Sequence, residues 1–253
     1  MNKNNKDLNL AVLIDADNIP YANIQGMLDE IAKLGTPTIK RIYGDWTRPG
    51  VNGWKKPLLE HAITPIQQYG YTTGKNATDS AMIIDAMDIL HSNKVDGFCL
   101  VSSDSDFTRL ATRLRESGNL VIGIGEKKTP KPFIVSCDKF IYIEILAGAK
   151  HKNKKKKVTD KHRVVPSTEK YDRVSEGLIN LLKDSVDDIG DDEGWASLAE
   201  VGSLLLKKKP DFDPRNYGFQ KLTPFIKSLT KDFTIDVKPT EKRNIKHIYI
   251  KNK

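Results

Sequence analysis

Cysteine is almost absent: Cys99 and Cys137 are the only two in 253 residues, and neither stands at CxxC or His-bearing zinc spacing. That excludes a disulfide-stapled fold and a structural zinc module, and both thiols are expected to be reduced core residues. The five histidines are scattered, so no dense histidine metal centre is expected. No run approaches the roughly 18 apolar residues that span a bilayer. Met1 to Leu8 is polar and lacks the apolar core of a signal peptide. The expected setting is the cytoplasm, with no membrane partner.

A uniform charge is also lacking. Residues 1–149 hold 17 Lys and Arg against 17 Asp and Glu, residues 150–170 hold 9 against 2, and residues 171–253 hold 15 against 14. The net charge of +8 is therefore concentrated in one short stretch that includes Lys154, Lys155, Lys156 and Lys157 and has almost no large apolar residues. Such a stretch cannot bury enough surface to offset its ordering entropy. It reads as a boundary between a domain at 1–149 and a second at 171–253, and as either a solvated spacer or an arm that contacts phosphates.

What is present in the first domain is an alternation of apolar runs with helical patterns, the signature of βαβ units and a parallel sheet. Strands are predicted at Leu10–Ile14, Thr38–Tyr43, Ile63–Tyr69, Phe98–Val101, Leu120–Ile124 and Phe140–Ile145, and helices at Tyr21–Leu34, Thr78–Leu90 and Phe107–Arg115. In the second domain three amphipathic patterns, around Val174–Leu182, Leu198–Leu205 and Phe219–Leu229, precede two alternating runs, Phe233–Val237 and Ile245–Ile250, about a turn at Thr240–Asn244. The order ααα then ββ is that of a winged helix.

Acidic residues cluster at predicted strand ends. Asp15 closes the first buried strand, with Asp17 and Asn18 behind it; Asp104 and Asp106 follow the strand ending at Val101. In open α/β sheets ligands bind at carboxyl ends where the strand order reverses, and the first strand usually borders that point. Asp79 opens the helix before the Asp104 strand. Asp85, six residues on, lies some 120° further around that helix and is secondary. Hard divalent cations take oxygen ligands, activate water and neutralise phosphate. Without a cation, crowded carboxylates raise one another's pKa. Structural alternatives stay open: Asp79 as a favourable first-turn acid, Asp106 as the cap of the next helix, and Asn18 as a cap at Tyr21 or a group orienting a ligand water.

These residues resemble the NYN domain family of PIN-like nucleases. The resemblance rests on Ile14–Asn18, on Lys75–Asp79 with Asp85, and most specifically on Ser102–Phe107. It implies a three-layer α/β fold over roughly residues 8–148 that binds Mg²⁺ or Mn²⁺ and hydrolyses RNA. By position the ligands would be Asp15, Asp79, Asp104 and Asp106, with Asn18 supporting; Asp85 and Ser102 are further candidates for a supporting place. Ser103 departs from the Gly common there. Trp195–Val201 and Asp213–Lys221 with the helix that follows resemble the LOTUS, or OST-HTH, domain, which implies RNA binding or docking of a protein partner. Tyr217, Phe219 and Phe225 are largely core by helical spacing.

The loop Gly44–Pro57 brings Trp46, Arg48, Trp54, Lys55 and Lys56 together, and aromatic faces beside cations suit single-stranded bases; the same tryptophans could instead clamp the loop to the core. Arg109 and Arg113 share a helix face for phosphate or for ion pairs. With Lys75 and Lys154–Lys157, the expected RNA contacts are Trp46, Arg48, Lys55 and Arg109. Two other readings compete. A haloacid dehalogenase-type phosphatase would use the DxD of Asp15 and Asp17, but Ile19 stands where that motif carries Thr or Val. A silent RNA-binding scaffold would not need the acids at all.

Overall fold

A computed structural model describes residues 7–69, 77–147, 171–239 and 246–253. Lys75, the Lys154–Lys157 segment and the Thr240–Asn244 turn lie outside the described residues. The chain divides into two compact units, each described by itself.

The first unit carries six parallel strands: β1 (Asn9–Asp15), β2 (Thr36–Gly44), β3 (Thr64–Gln67), β4 (Gly97–Val101), β5 (Leu120–Gly125) and β6 (Lys139–Tyr142), in the order β3-β2-β1-β4-β5-β6. The helices are α1 (Ile24–Ile31), α2 (Lys55–His61), α3 (Ala77–His91), α4 (Thr108–Glu116), α5 (Lys131–Ser136) and α6 (Ile143–Ala147). β1 is buried on both sides, so its apolar run splits by parity. Leu10, Val12 and Ile14 pack with α1 and α6, through Met27, Ile31 and Leu146. Ala11 and Leu13 pack on the other face, against Met82 and Ala86 of α3 and Leu110 and Leu114 of α4. The result is the expected three layers.

Local departures have physical reasons. The predicted strand Phe140–Ile145 stops at Tyr142 and continues as α6, because Ile143 and Leu146, a helical step apart, both reach the apolar layer. The Gly44–Pro57 loop contains a 3-10 helix, Pro49–Trp54, and the start of α2. Ile84, expected with the apolar residues of α3, is 63% exposed, whereas Met82, Ala86, Ile89 and Leu90 are buried.

The second unit has α7 (Glu176–Asp187), β7 (Ala196–Ser197), α8 (Leu198–Lys208), α9 (Leu222–Ser228), β8 (Phe233–Pro239) and β9 (Lys246–Asn252). Its antiparallel sheet runs β7-β9-β8, so the predicted pair gains a short third strand. Ser175 caps α7 by accepting from the Leu178 N–H. Phe225 stacks among Phe212, Tyr217 and Phe219, with ring centroids 5.3–5.7 Å away. These rings therefore serve the core. Gly218, at φ 88°, ends the 3-10 helix Pro214–Tyr217 in a conformation that a side chain would strain.

Candidate metal centre

Register fixes where the acids stand. Ile14 of β1 pairs with Val101 of β4, so Asp15 and Ser102 are level, one step beyond, where the strand order reverses. Asp15 is 1% exposed. Its Oδ2 accepts from the Asn18 amide (2.6 Å) and the Ser102 hydroxyl (2.8 Å), and its Oδ1 accepts from the Asp17 N–H at 3.1 Å. Burial raises its pKa despite these donors. Asn18 is thus spent on Asp15, and no side chain caps the Tyr21 turn or α1.

The β4 exit is tied down by its own hydroxyls. Ser102 Oγ accepts from the Asp104 N–H at 3.1 Å, and Asp104 Oδ1 accepts from the Asp106 N–H at 2.9 Å. Asp104, rather than Asp106, is therefore the cap at the start of the Ser105–Phe107 turn. Ser103 fits without crowding: its Oγ accepts from the Glu126 N–H at 2.9 Å, which fastens the loop after β5. A Cβ on Gly125 would lie 2.6 Å from the Ser102 carbonyl oxygen, so only glycine allows that approach.

Asp79, in the first turn of α3, faces these residues. One carboxylate oxygen each from Asp79, Asp104 and Asp106 lies within 4.8 Å of the others. Asp15 is outside that trio, yet its charge reaches Asp79. Burial first, then Asp15, Asp104 and Asp106, push the Asp79 carboxyl up to about 6. Three converging hard oxygen donors whose charges oppose one another fit a divalent cation; Asp15 has an Oδ1 lone pair left to join them.

Other predicted residues stand elsewhere. Asp85 bonds Arg41 and the Tyr43 hydroxyl of β2 instead of the acidic trio. Trp54 is buried, edge-on to Tyr21 at 6.4 Å. Trp46 is partly buried, its ring N–H donating to the Ile66 carbonyl at 3.0 Å. Trp54 thus clamps the loop to the core, whereas Trp46 is tied to β3 through its ring N–H and also lines the groove beside α2. Arg48 pairs with Asp45 at 3.2 Å, and Arg113 with Glu116 at 3.7 Å. Arg109 and Lys55 are exposed, and among the described residues neither has a carboxylate within ion-pair distance. Sequence reasoning passed over Asp45. Its Oδ1 accepts from Thr47 and from Gln67, which holds its carboxyl down at about 2 and ties the loop after β2 to β3. Its place after a strand end was the available signal.

A model of the NYN domain matches residues 9–144, more than half of the chain. The chain belongs to the NYN domain family. A model of the OST-HTH/LOTUS domain matches residues 169–245. The NYN domain is a nuclease fold and the LOTUS domain an RNA-binding one. Two solved structures are similar to this NYN protein. One, a protein of unknown function from Vibrio parahaemolyticus, is 20% identical with a TM-score of 0.46, covering 56% of this chain and 96% of that one. The other, an uncharacterized protein from Nitrosomonas europaea, is 26% identical with a TM-score of 0.30, covering 39% and 90%. No curated protein matches the chain. Among the described residues no helix is long and apolar enough to cross a membrane.

Proposed function

We propose that the first unit is a metal-dependent ribonuclease and that residues 171–253 bind RNA or an RNA-handling partner. The observation that carries this reading is the convergence of Asp79, Asp104 and Asp106 within 4.8 Å. Mg²⁺ or Mn²⁺ is the expected ion, held by those three with Asp15 behind them. Once bound, it supplies neutralisation of phosphate charge and activation of water. The protein's own contribution is orientation. Ser102 and Asn18 fix the Asp15 carboxylate, and the Ser102 and Asp104 side chains fix the β4 exit. Arg109, one helical turn after Asp106, is available to phosphate, as is Lys55; Trp46 and Arg48 border the path of a single strand.

Asp15 is a poor nucleophile at 1% exposure with both oxygens hydrogen-bonded, which disfavours phosphatase chemistry. The test is cleavage of labelled single-stranded RNA by the full-length protein. Cleavage should require Mg²⁺ or Mn²⁺, stop in EDTA and vanish in Asp104→Asn with the fold intact. Asp104→Asn cutting at the unmutated rate would overturn the assignment. RNA bound but uncut under every ion would make the protein a scaffold.

A further inference from the structure

We propose that the groove between α2 and the edge strand β3 is a pocket for one unpaired base of the RNA strand, a site that rests on and refines the nuclease reading. The groove encloses about 520 Å³ and is walled by Trp46, Leu58, Leu59, Ile63 and Pro65. It has the size and mainly apolar character of ligand sites, which run to about 300–1,000 Å³. The fold does not fill it: α2 buries no residue, and Leu59 is 80% exposed.

Three observations select a base. First, the indole N–H of Trp46 is spent on the Ile66 carbonyl, so within the groove the ring offers a surface for stacking and no donor. A flat ring against an aromatic wall and an aliphatic floor matches that chemistry. Second, Lys55 lines the groove with no carboxylate in ion-pair reach among the described residues, although neighbouring Lys56 and Arg48 pair with Glu60 and Asp45. An occupant that joins an aromatic ring to a negative charge satisfies both features, and a nucleotide does so; a purely apolar segment leaves the cation unused. Third, Trp46 follows the carboxyl end of β2, the edge of the sheet on which Asp15 and Ser102 stand. β3 is three strands from β4, whose exit carries Asp104 and Asp106, or about 14 Å at the usual spacing. A strand lying on the acidic trio reaches the groove within a few nucleotides. Pairing hides base faces in a duplex, so the pocket selects single strands.

The test uses full-length Asp104→Asn protein, so that RNA is bound independently of cleavage. Affinity is measured by fluorescence anisotropy for a short labelled oligouridylate and for a series in which one abasic position is moved along the strand. At one position the abasic RNA should bind about tenfold more weakly, the loss of one stacked base. Adding Lys55→Ser and Leu59→Ser, both at exposed positions, should weaken intact RNA by a similar factor and make that abasic RNA no weaker still. Should the double variant melt early, photocrosslinking of 4-thiouridine RNA to the parent protein decides: adducts on Trp46 or residues 55–61 support the pocket, and adducts only elsewhere overturn it. Unchanged affinity in the double variant, or losses that simply add, also overturns it and leaves the groove to another occupant, such as an extended peptide on β3. Cleavage by the unmutated protein is scored separately. A protein that cuts RNA but ignores the groove substitutions loses only the pocket, and one that takes the base but never cuts loses only the nuclease reading.

Discussion

Asp79 carries the residue-scale consequence. Its carboxyl rises from 3.8 to about 6 in the folded protein, through burial and then through Asp15, Asp104 and Asp106. The unfolded chain therefore ionises first as pH climbs. The associated stability is fully present below the unfolded value and is lost as pH rises through the folded one. Metal-free protein should melt progressively earlier between about pH 4 and pH 6. Mn²⁺ should offset that loss, and Asp79→Asn should remove its own share of the pH dependence, leaving that of Asp15, whose carboxyl is also raised by burial. Melting curves in EDTA and in Mn²⁺ test this, and a slope identical in protein and variant refutes it. The two thiols behave oppositely to a reactive site. Burial pushes Cys99 and Cys137 up to about 12, so iodoacetamide at neutral pH should label them only when the chain unfolds. The acids were legible because an Asp at the end of an apolar strand has little structural reason to be there. The Ser102 and Asn18 bonds to Asp15 were not, since a hydroxyl's partner depends on the register of β1 against β4.

Whole elements were read best where an apolar period was strong. β1, β4 and β5 are buried along almost their full lengths, and their sequences are continuous apolar runs. α2 escaped notice because none of its residues is buried, so no period exists to read. α3 is the element on which the site depends, since it carries Asp79 at its start and Asp85 six residues later. Asp85 was expected in a secondary, supporting place near the metal site. Its bonds to Arg41 and Tyr43 instead fasten α3 to β2, and Asp85 holds Arg41 more firmly protonated. Asp85→Ala leaves the guanidinium and a buried phenol hydroxyl without their partner, a loss of about 1–3 kcal/mol. Urea denaturation should register that loss, and Mn²⁺ titration should give weaker binding as Asp79 loses its fixed position. Unchanged Mn²⁺ affinity would mean that apolar packing alone, through Met82 and Ala86, sets the helix.

At the scale of the molecule, the first unit packs two apolar layers on one sheet and the second has its own core around Leu182, Val201 and Phe225. The reversal of strand order between β1 and β4 was expected from the acids at both exits, and the parallel sheet from the alternation of runs. Charge divides the chain differently: neither unit is strongly basic, and the excess lies in residues 150–170. A neutral NYN unit with an acidic centre has little long-range attraction for RNA, so capture should depend on that segment and on residues 171–253. If the lysines track phosphates, each contact releases condensed counterions, and log affinity for a single strand should fall by about 0.7 per unit of log salt. Replacing Lys154, Lys155, Lys156 and Lys157 by Ser removes four such contacts and should flatten the slope by up to about 2.8. Turnover at saturating RNA should change little, because the substitutions lie outside Asp79, Asp104 and Asp106. A salt titration of RNA binding by the two proteins measures the difference directly. An unchanged slope would make the segment a solvated spacer and leave the attraction to exposed cations such as Lys55 and Arg109.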